Sequence, residues 1–311
     1  MQNHLNHFKI APEVLQSQQF GMPLVALEST VITHGLPWPE NFNLALDMEK
    51  MVREVQAMPA TIAVMDGVVQ IGLQEEELRT LAEAKNVRKI SLRDFGFAIA
   101  RKLSGGTTVA ATLYVAEKVG IRVFATGGIG GVHRNAPFDI SADLTQLGRS
   151  PMVVVCAGAK SILDLPATLE YLETQGVPVV GYQTNQFPAF CAIDSGLKVD
   201  VRADSPDEVA QIARAHWSTG LRSAILVVVP PPADVAVASE RMEMIIHTAL
   251  SEAETQGIRG NAVTPFLLSQ VSALSGGESM KANLALLLNN AQVAARIAKY
   301  LVEKPHTLSS I

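Results

Sequence analysis

Short apolar runs that alternate with amphipathic stretches are the feature that most constrains how this chain can fold. Most of the runs are apolar at every position, so both faces of each strand are expected to be buried. The stretches between them have the spacing of helices with one exposed face. The pattern predicts a three-layer α/β/α fold with a mixed, mostly buried β-sheet. The expected strands are residues 24–27, 61–65, 123–126, 152–156, 177–181 and 224–229.

Local signals predict a hairpin and several helices. The Asp66-Gly67 pair follows residues 61–65 and is a strong hairpin signal, which places an antiparallel pair in the sheet. An apolar stripe beginning at about Met280 predicts a long final helix packed on the body of the protein. Another helix is expected over residues 162–175. Two further helices begin with good capping residues: Thr107 or Thr108, and Ser205 with Pro206.

The composition is that of a folded globular protein, with 48% hydrophobic and 18% charged residues. The 311 residues contain no internal repeat and no linker rich in Gly, Ser or Pro, so a single domain over residues 1–311 is expected. The net charge of −5 provides no basic field for a nucleic-acid backbone. Nucleic acid is therefore not an expected partner.

The sequence also predicts a cytoplasmic location. The first ten residues have no continuous apolar segment of the kind found in a secretory signal. No run approaches the roughly 18 apolar residues that span a membrane. Cys156 and Cys191 lie far apart, neither in a Cys-x-x-Cys pair, so both are expected to be thiols in the core.

The chemically informative residues follow strands, and open α/β sheets bind ligands at the carboxyl ends of their strands. Glu28 comes directly after the apolar residues 24–27. One interpretation is a solvated charge at a strand exit. The other is a buried carboxyl group with a raised pKa, which could act as a general acid or base near neutral pH.

A glycine-rich loop follows the strand at 123–126, with four glycines in residues 127–131. Such loops let backbone amides approach a ligand closely, as phosphate-binding loops do. His133 and Arg134 come next and offer donors for a phosphate or carbonyl oxygen. The loop matches neither the dinucleotide motif nor the P-loop. A tight irregular turn is the alternative interpretation.

Lys160 lies between the strand at 152–156 and the helix expected at 162–175. The positive end of a helix dipole and apolar surroundings would both disfavour the ammonium form. A neutral lysine amine is a nucleophile that forms Schiff bases with carbonyl groups. The alternative is an ordinary surface lysine, although the small residues 157–159 leave room for a ligand.

Several collinear motifs then carry a specific resemblance. The string LESTVITHGLP at residues 27–37 and the segments after it resemble the pseudouridine-5′-phosphate glycosidase family, also called the indigoidine-synthase-A-like family. The matches extend over nearly the whole chain. The further segments are PATIA at 59–63, KISLRD at 89–94, GTTVAAT at 106–112, the glycine-rich loop through Arg134, FDISADL at 138–144, CAGAKS at 156–161, VTPFLL at 263–268 and KANLAL at 281–286.

The resemblance implies an enzyme that cleaves pseudouridine 5′-phosphate reversibly to uracil and ribose 5-phosphate. The bond that breaks joins two carbons, so protonation of a leaving oxygen or nitrogen cannot break it. The family opens the ribose and holds C1′ on a lysine, which lets the bond break through an iminium. Lys160 matches this nucleophile, and Glu28 matches the proton donor.

The resemblance also implies one manganese ion, with Asp139 as its ligand. Manganese is a hard ion that accepts carboxylate and water oxygens. From the residues alone, Asp139 could instead cap a helix or bond within a loop. His133 is included among the substrate contacts for the donors noted above, and Asn283 matches an active-site residue, although alone it could be a helix cap. The other expected substrate contacts are Lys89, Val109, Ser141, Ala142 and Asp143, with Lys89 suited to neutralise the phosphate.

The same resemblance implies a homotrimer. Some members are fused to a sugar kinase, and this sequence has no room for one, so a separate pseudouridine kinase is expected. The segment between Arg134 and Phe138 is shorter than is usual in the family, which bears on metal geometry and base recognition. Two other functions remain open: an aldolase-like lyase that acts on another sugar phosphate through a Schiff base, and a non-catalytic sugar-phosphate-binding protein.

Overall fold

The computed structural model describes residues 6–134, 136–258 and 263–302. Within these ranges the strands fall into one large sheet and one small sheet. The strands are β1 (Phe8–Ile10), β2 (Leu24–Leu27), β3 (Met58–Met65), β4 (Val68–Ile71), β5 (Arg88–Ile90), β6 (Gly105–Thr107), β7 (Val123–Ala125), β8 (Val132–His133), β9 (Ala136–Ile140), β10 (Val153–Cys156), β11 (Leu163–Asp164), β12 (Val179–Tyr182), β13 (Val201–Ala203) and β14 (Ile225–Val228).

The large sheet contains eleven of the described strands and is mixed. Its main path runs β1-β4-β3-β2-β7-β10-β14-β12-β13, and β6 pairs with β3 and with β5. The central neighbours β3, β2, β7, β10, β14 and β12 are all parallel, whereas β4 and β6 are antiparallel to β3. The hairpin predicted at Asp66-Gly67 is the β3–β4 connection. The small sheet has the order β11-β8-β9.

Helices cover both sides of the sheet and complete the layers. Their bounds are α1 (Pro12–Gln19), α2 (Glu40–Glu54), α3 (Glu75–Glu83), α4 (Phe95–Ala100), α5 (Val109–Lys118), α6 (Ala142–Leu147), α7 (Leu165–Thr174), α8 (Pro206–Ser218), α9 (Ser239–Thr255), α10 (Val263–Leu274) and α11 (Glu278–Val302). A π-helical turn occupies Val31–Gly35, and a 3-10 turn occupies Leu92–Asp94. The α/β/α fold with a mixed, buried sheet is confirmed.

The predicted caps and the long final helix are confirmed. Thr108 caps α5 by accepting the Ala111 N–H, and Ser205 caps α8 by accepting the Glu208 N–H. Helix α11 packs on β2, β7 and β10 and against α2 and α8. Its predicted stripe faces the core, with Leu284 and Leu288 half-buried and these residues buried: Leu287, Ala291, Ala294, Ala295 and Ala298.

The central strands are buried as their uninterrupted apolar sequences predict. Strands β10, β12 and β14 are buried at every position, and so is β7. Both cysteines are free and buried, which agrees with their prediction as core thiols. In the part of the chain that the structure describes, no helix is long and apolar enough to cross a bilayer.

The helix predicted over residues 162–175 begins later than expected. Leu163–Asp164 forms β11, which pairs antiparallel with β8, and α7 then runs over Leu165–Thr174. Asp164 caps this helix by accepting the Ala167 N–H. Lys160 therefore lies before β11 and not at the helix start that the sequence predicted.

Candidate active site

The carboxyl ends of β2, β7 and β10 lie side by side and open into one cavity. Ala125 of β7 pairs with Leu27 of β2 on one side and with Val155 of β10 on the other. The three strands therefore end at nearly the same level. Glu28 follows β2, Thr126 follows β7, and the loop to Lys160 follows β10. A cavity of about 120 Å³ lies at these strand ends.

The cavity has charged and polar groups together with a large apolar wall. Its polar lining includes Glu28, His34, Lys89, Lys160 and Asn283. Four of these were predicted from the sequence as site residues; His34 was not. The apolar wall comes from several separate segments and includes Leu36, Phe190, Leu268, Val271, Met280 and Leu287. One cavity can therefore hold an anionic or polar group and a flat, less polar one together.

Glu28 is held by a hydrogen bond from the neighbouring strand end. The Thr126 hydroxyl donates to Glu28 Oε1 at 2.8 Å. Desolvation raises the pKa of the Glu28 carboxyl above its ordinary value. Lys160, the Thr126 hydrogen bond and Lys89 act in the opposite direction, and the Asp143 charge adds to the increase. The net result is a carboxyl group that keeps its proton to a higher pH than an exposed glutamate.

Lys160 is positioned by the pairing of two loops beyond the ends of β7 and β10. The Ile129 N–H donates to the Gly158 carbonyl at 3.0 Å, and the Lys160 N–H donates to the Ile129 carbonyl at 3.1 Å. These bonds continue the parallel pairing of the two strands, with a bridge between Ile129 and Ala159. The side chain is half-buried and faces the cavity.

Gly158 is required by the shape of this loop. Its φ of +80° is in the left-handed region, and a Cβ there would lie 2.3 Å from the Pro188 carbonyl oxygen. No other residue fits so close to a backbone atom. The small residues before Lys160 thus make room for the segment around Pro188 as well as for a ligand.

Lys89 adds a second cation on the cavity wall. Although the residue as a whole is exposed, the protein around its ammonium group lowers its pKa by desolvation, and Lys160 lowers it further. Asp143 and Glu28 oppose this decrease. Two lysines on one cavity wall are well suited to receive an anion such as a phosphate group.

The predicted residues Ser141, Ala142 and Asp143 form the start of α6 and support the glycine-rich loop. The Asp143 carboxylate accepts the Ala110 N–H at one oxygen and the Gly130 N–H at the other, each at 2.9 Å. Ser141 is the cap of α6 and accepts the Asp143 N–H. A Cβ at Gly130 would lie 2.3 Å from Ser141 Oγ, so the loop lies directly against this turn.

Several predicted site residues do not line the cavity. Asp143 acts on the charges of Glu28 and Lys89 but does not itself line it. Val109, the first residue of α5, is buried. His133 is half-buried in β8, opposite Leu163 of β11. The other predicted residues outside the described lining are Asp139, Ser141 and Ala142.

Arg134 was expected to offer its donors to a ligand, and the structure assigns them differently. The guanidinium donates to the carbonyls of Ser161 and Leu163, each at 3.1 Å. It also forms a two-pronged ion pair with Glu243 of α9. Arg134 therefore ties the loop after Lys160 to α9, which is a structural role.

Asp139 lies in β9 of the small sheet and is exposed. Among the described residues, no three His, Cys, Asp or Glu side chains are grouped closely enough to hold a metal ion. A lone exposed carboxylate fits a hard divalent ion that keeps most of its water ligands, and it does not fit zinc in a closed protein site. The shortened segment noted in the sequence includes Asn135, which lies outside the described residues.

Two side chains at the site were missed from the sequence. Thr126 carries no signal beyond its place after a strand, and its bond to Glu28 is visible only in three dimensions. His34 belongs to the π-helical turn Val31–Gly35, a local distortion that is common at functional sites. Its pKa is lowered by desolvation and by the nearby charge of Lys89.

An α/β fold whose central strands are parallel, with a lysine and a carboxyl group beyond the two strands that flank β7, defines a class of enzyme-like sites. Similarity to known proteins makes the class specific. The family model described as indigoidine synthase A like protein matches residues 13–300. This chain belongs to that family.

The relatives and solved structures that match are similar over almost their entire lengths. A pseudouridine-5′-phosphate glycosidase of Solibacter usitatus is 52% identical over 95% of this chain and 99% of its own. One of Herpetosiphon aurantiacus is 54% identical over 94% and 98%. The crystal structure of the prealnumycin C-glycosynthase AlnA in complex with ribulose 5-phosphate has a TM-score of 0.89 and 40% identity, covering 96% of this chain and 97% of AlnA. An indigoidine synthase A-like protein of Thermotoga maritima has the same TM-score and 34% identity, covering 97% and 99%.

Proposed function

We propose that this protein is an enzyme that cleaves pseudouridine 5′-phosphate reversibly to uracil and ribose 5-phosphate. The relatives at about half identity that carry this activity in their names support the proposal. The observation that carries it is the placement of Lys160 and Glu28 on one cavity, beyond the ends of the two strands that flank β7. The likeness to a C-glycosynthase in complex with a pentulose phosphate agrees with chemistry at a carbon–carbon glycosidic bond.

The two residues divide the reaction between a nucleophile and a proton donor. The Lys160 amine bonds to C1′ as the bond from C1′ to the ring oxygen breaks, and the Glu28 carboxyl group gives its proton to that oxygen. A proton added to the uracil carbon then lets the carbon–carbon bond break, with its electrons leaving on uracil and an iminium forming at C1′. Water hydrolyses the iminium, which releases ribose 5-phosphate and the lysine.

The raised pKa of Glu28 suits it to the first of these steps. A carboxyl group with an ordinary pKa would be ionised near neutral pH and could not donate a proton. Desolvation raises the pKa of Glu28 and so favours its protonated form. The Thr126 hydroxyl keeps the carboxyl group oriented. After this donation the Glu28 carboxylate takes a proton from the Lys160 nitrogen, which frees the nitrogen lone pair to form the iminium, and delivers that proton to the uracil carbon.

The lining of the cavity suggests how the substrate lies. Lys89 and Lys160 supply positive charge for the sugar-phosphate end. The apolar wall, with the ring of Phe190, is suited to a flat base. Phe190 has a φ of +60°, which is uncommon for a residue of its size, so the fold holds its ring in place at some cost. Asn283 contributes an amide at the same wall.

The proposal includes the manganese ion and the remaining contacts implied by the family resemblance. Asp139 would supply its carboxylate to the ion, which when bound provides positive charge near the substrate. His133, Val109, Ser141, Ala142 and Asp143 remain proposed substrate contacts. The uracil-release assay with and without manganese tests the metal, and activity that is equal in the two would contradict its role.

The proposed setting is cytoplasmic, with a separate pseudouridine kinase that supplies the phosphate ester. The proposed assembly is a homotrimer. Light scattering should then give a mass three times the 33.3 kDa of the chain. The monomer mass at assay concentrations would contradict it.

Two measurements test the function. Incubation of the protein with pseudouridine 5′-phosphate should release uracil, and Lys160→Ala should abolish the release. Borohydride with ribose 5-phosphate should leave a stable adduct on Lys160 that is absent from the alanine variant. Lys198→Ala is a matched control, since Lys198 lies outside the lining of the cavity, and it should behave as the wild type.

The outcomes separate the proposed function from its rivals. An adduct on Lys160 without release of uracil would favour the aldolase-like reaction on another sugar phosphate. Binding of ribose 5-phosphate with neither an adduct nor uracil would favour the non-catalytic protein. Uracil release that persists in Lys160→Ala would contradict the role of the lysine.

A further inference from the structure

Asn290 is a buried amide on α11 that contacts the loop after β7. It is 0% exposed, and its Nδ2 donates to the Thr126 carbonyl at 2.9 Å and lies 3.5 Å from the Gly127 carbonyl. Because both partners are carbonyl oxygens, the NH₂ end of the amide must face the loop. Nothing in the sequence distinguishes this residue from Asn289 beside it.

The other end of this amide has no partner. Asn290 Oδ1 is buried and accepts no hydrogen bond from any described residue. A buried amide oxygen without a donor destabilises the folded state, and a leucine of similar size would avoid that cost if packing were the whole role of the position. The contacts of its Nδ2 with the Thr126 and Gly127 carbonyls therefore explain why this position is an asparagine.

Two short routes lead from this amide to the reacting side chains. Thr126, whose carbonyl Asn290 holds, donates its hydroxyl to Glu28 Oε1 at 2.8 Å. The Gly127 carbonyl also accepts the Ala157 N–H at 2.8 Å, in the loop that carries Lys160. The Asn290 side chain is thus connected to both loops of the site, the loop after β7 and the loop that carries Lys160.

The face of α11 around Asn290 is pressed against the same loop. A Cβ at Gly127 would lie 3.1 Å from Leu287, so helix and loop leave no space between them. Leu287 and Asn283, one and two turns before Asn290, both line the cavity. Asn290 lies one turn beyond Leu287 on this face and does not itself line the cavity.

We infer that Asn290 is a positioning residue for the reaction, which fixes the Thr126 and Gly127 carbonyls and through them the orientations of Glu28 and Lys160. The inference rests on the proposed function. It assigns Asn290 no contact with substrate. Loss of its donor would let the loop after β7 move and would weaken the bond between Thr126 and Glu28.

Steady-state kinetics of uracil release over a range of pH test the inference with Asn290→Leu. We expect kcat to fall by about 10- to 100-fold, as for a small misplacement of reacting groups, with KM nearly unchanged. The alkaline limb of the kcat profile should move to higher pH. The Thr126 hydrogen bond lowers the pKa of Glu28, so weakening this bond raises that pKa. If Asn290 only stabilised the fold, the folded variant would keep the kcat, the KM and the alkaline limb of the wild type.

Three further variants sharpen the test. Thr126→Val should shift the same limb in the same direction, and combining it with Asn290→Leu should move the limb little further, because both shifts arise from the one hydrogen bond between Thr126 and Glu28. Asn289→Ala, at the neighbouring position, should leave the kinetics unchanged. If Asn290→Leu does not fold, Asn290→Asp keeps the shape. Its buried carboxyl, when protonated, can still donate to Thr126, so its kcat should be intermediate.

The outcomes distinguish this inference from the function on which it rests. A wild-type protein that releases no uracil would overturn both. Wild-type turnover with an unchanged kcat and an unmoved alkaline limb in Asn290→Leu would overturn the inference alone. If Asn290→Leu does not fold, an unchanged kcat and an unmoved alkaline limb in Asn290→Asp would overturn the inference.

Discussion

At the scale of single residues, the proposed proton donor Glu28 is a buried carboxyl group whose pKa is raised. Desolvation and, after it, the Asp143 charge raise the pKa of Glu28 more than the two lysines and the Thr126 hydroxyl lower it. The donor is therefore protonated up to a pH above the ordinary value of 4.5. Activity that needs this proton must decline as the pH rises through the raised pKa.

Replacement of Glu28 by Gln tests this directly. Glu28→Gln keeps an acceptor for the Thr126 hydroxyl but has no proton to give, so kcat should fall by about 10²- to 10⁴-fold. Its residual rate should lack the alkaline decline of the wild type. Uracil release measured across pH checks both expectations, and normal turnover in the variant would refute the assignment of the proton donor.

Glu49→Gln is the matched control. Glu49 is also a buried carboxyl with a raised pKa, caused mainly by desolvation, and it accepts a hydrogen bond from Thr61 at 2.6 Å. It lies outside the described lining of the cavity. Its replacement should leave the pH dependence of kcat unchanged.

Residue types and their positions after strands identified part of the site from the sequence. Glu28 and Lys160 were found in this way, and the family resemblance added Lys89 and Asn283; all four line the cavity. Thr126 and Asn290 could not be found, because each acts through a contact between residues distant in the chain. Arg134 was misassigned for the same reason, since its partner Glu243 lies on α9.

At the scale of elements, the strand-end loops are fixed by close backbone approach. Gly130 donates its N–H to Asp143, and a Cβ there would meet Ser141 Oγ at 2.3 Å and Asp143 Oδ2 at 2.8 Å. Those atoms belong to the capped first turn of α6 and cannot move freely. The glycine-rich loop is therefore packed closely against residues 141–143, while Gly127 and Gly128 at its start line the cavity.

Gly130→Ala should accordingly damage activity more than stability. The added methyl would push the loop away from Asp143, whose charge acts on both Glu28 and Lys89. We expect kcat/KM to fall by at least about tenfold while the protein stays folded. Gly96→Ala is the control, because a Cβ at Gly96 meets nothing within 4 Å. Equal kinetics in the two variants would show that the loop tolerates the change.

Local sequence predicted most elements but not all of their boundaries. Apolar runs gave the central strands, although β12 begins at Val179 rather than at 177. Residues 163–164 were assigned to a helix, yet they pair with β8. Pairing with a distant strand decided their conformation, and a local pattern does not contain that information.

At the scale of the whole molecule, the fold concentrates its polar chemistry at one edge of a buried parallel sheet. The alternation of strands and helices predicted that edge, because parallel strands direct their carboxyl ends the same way. It could not predict that β2, β7 and β10 are neighbours, which depends on the order of strands. That order brings Glu28 within reach of Thr126, about a hundred residues away.

Burial of Glu28 at this edge makes the stability of the fold depend on pH, and Glu28→Gln tests this dependence. A folded-state pKa above the unfolded value of 4.5 means that the folded protein binds the Glu28 proton more tightly than the unfolded chain. The contribution of Glu28 to the free energy of unfolding therefore decreases as the pH rises from that value through the raised pKa, and above the raised pKa the folded state carries a desolvated carboxylate. The neutral glutamine avoids this cost, so the variant should melt at a higher temperature than the wild type at alkaline pH and at the same temperature below the unfolded value. Thermal unfolding across pH measures the difference. Equal melting temperatures throughout would mean that the fold does not destabilise the charged form of its proton donor.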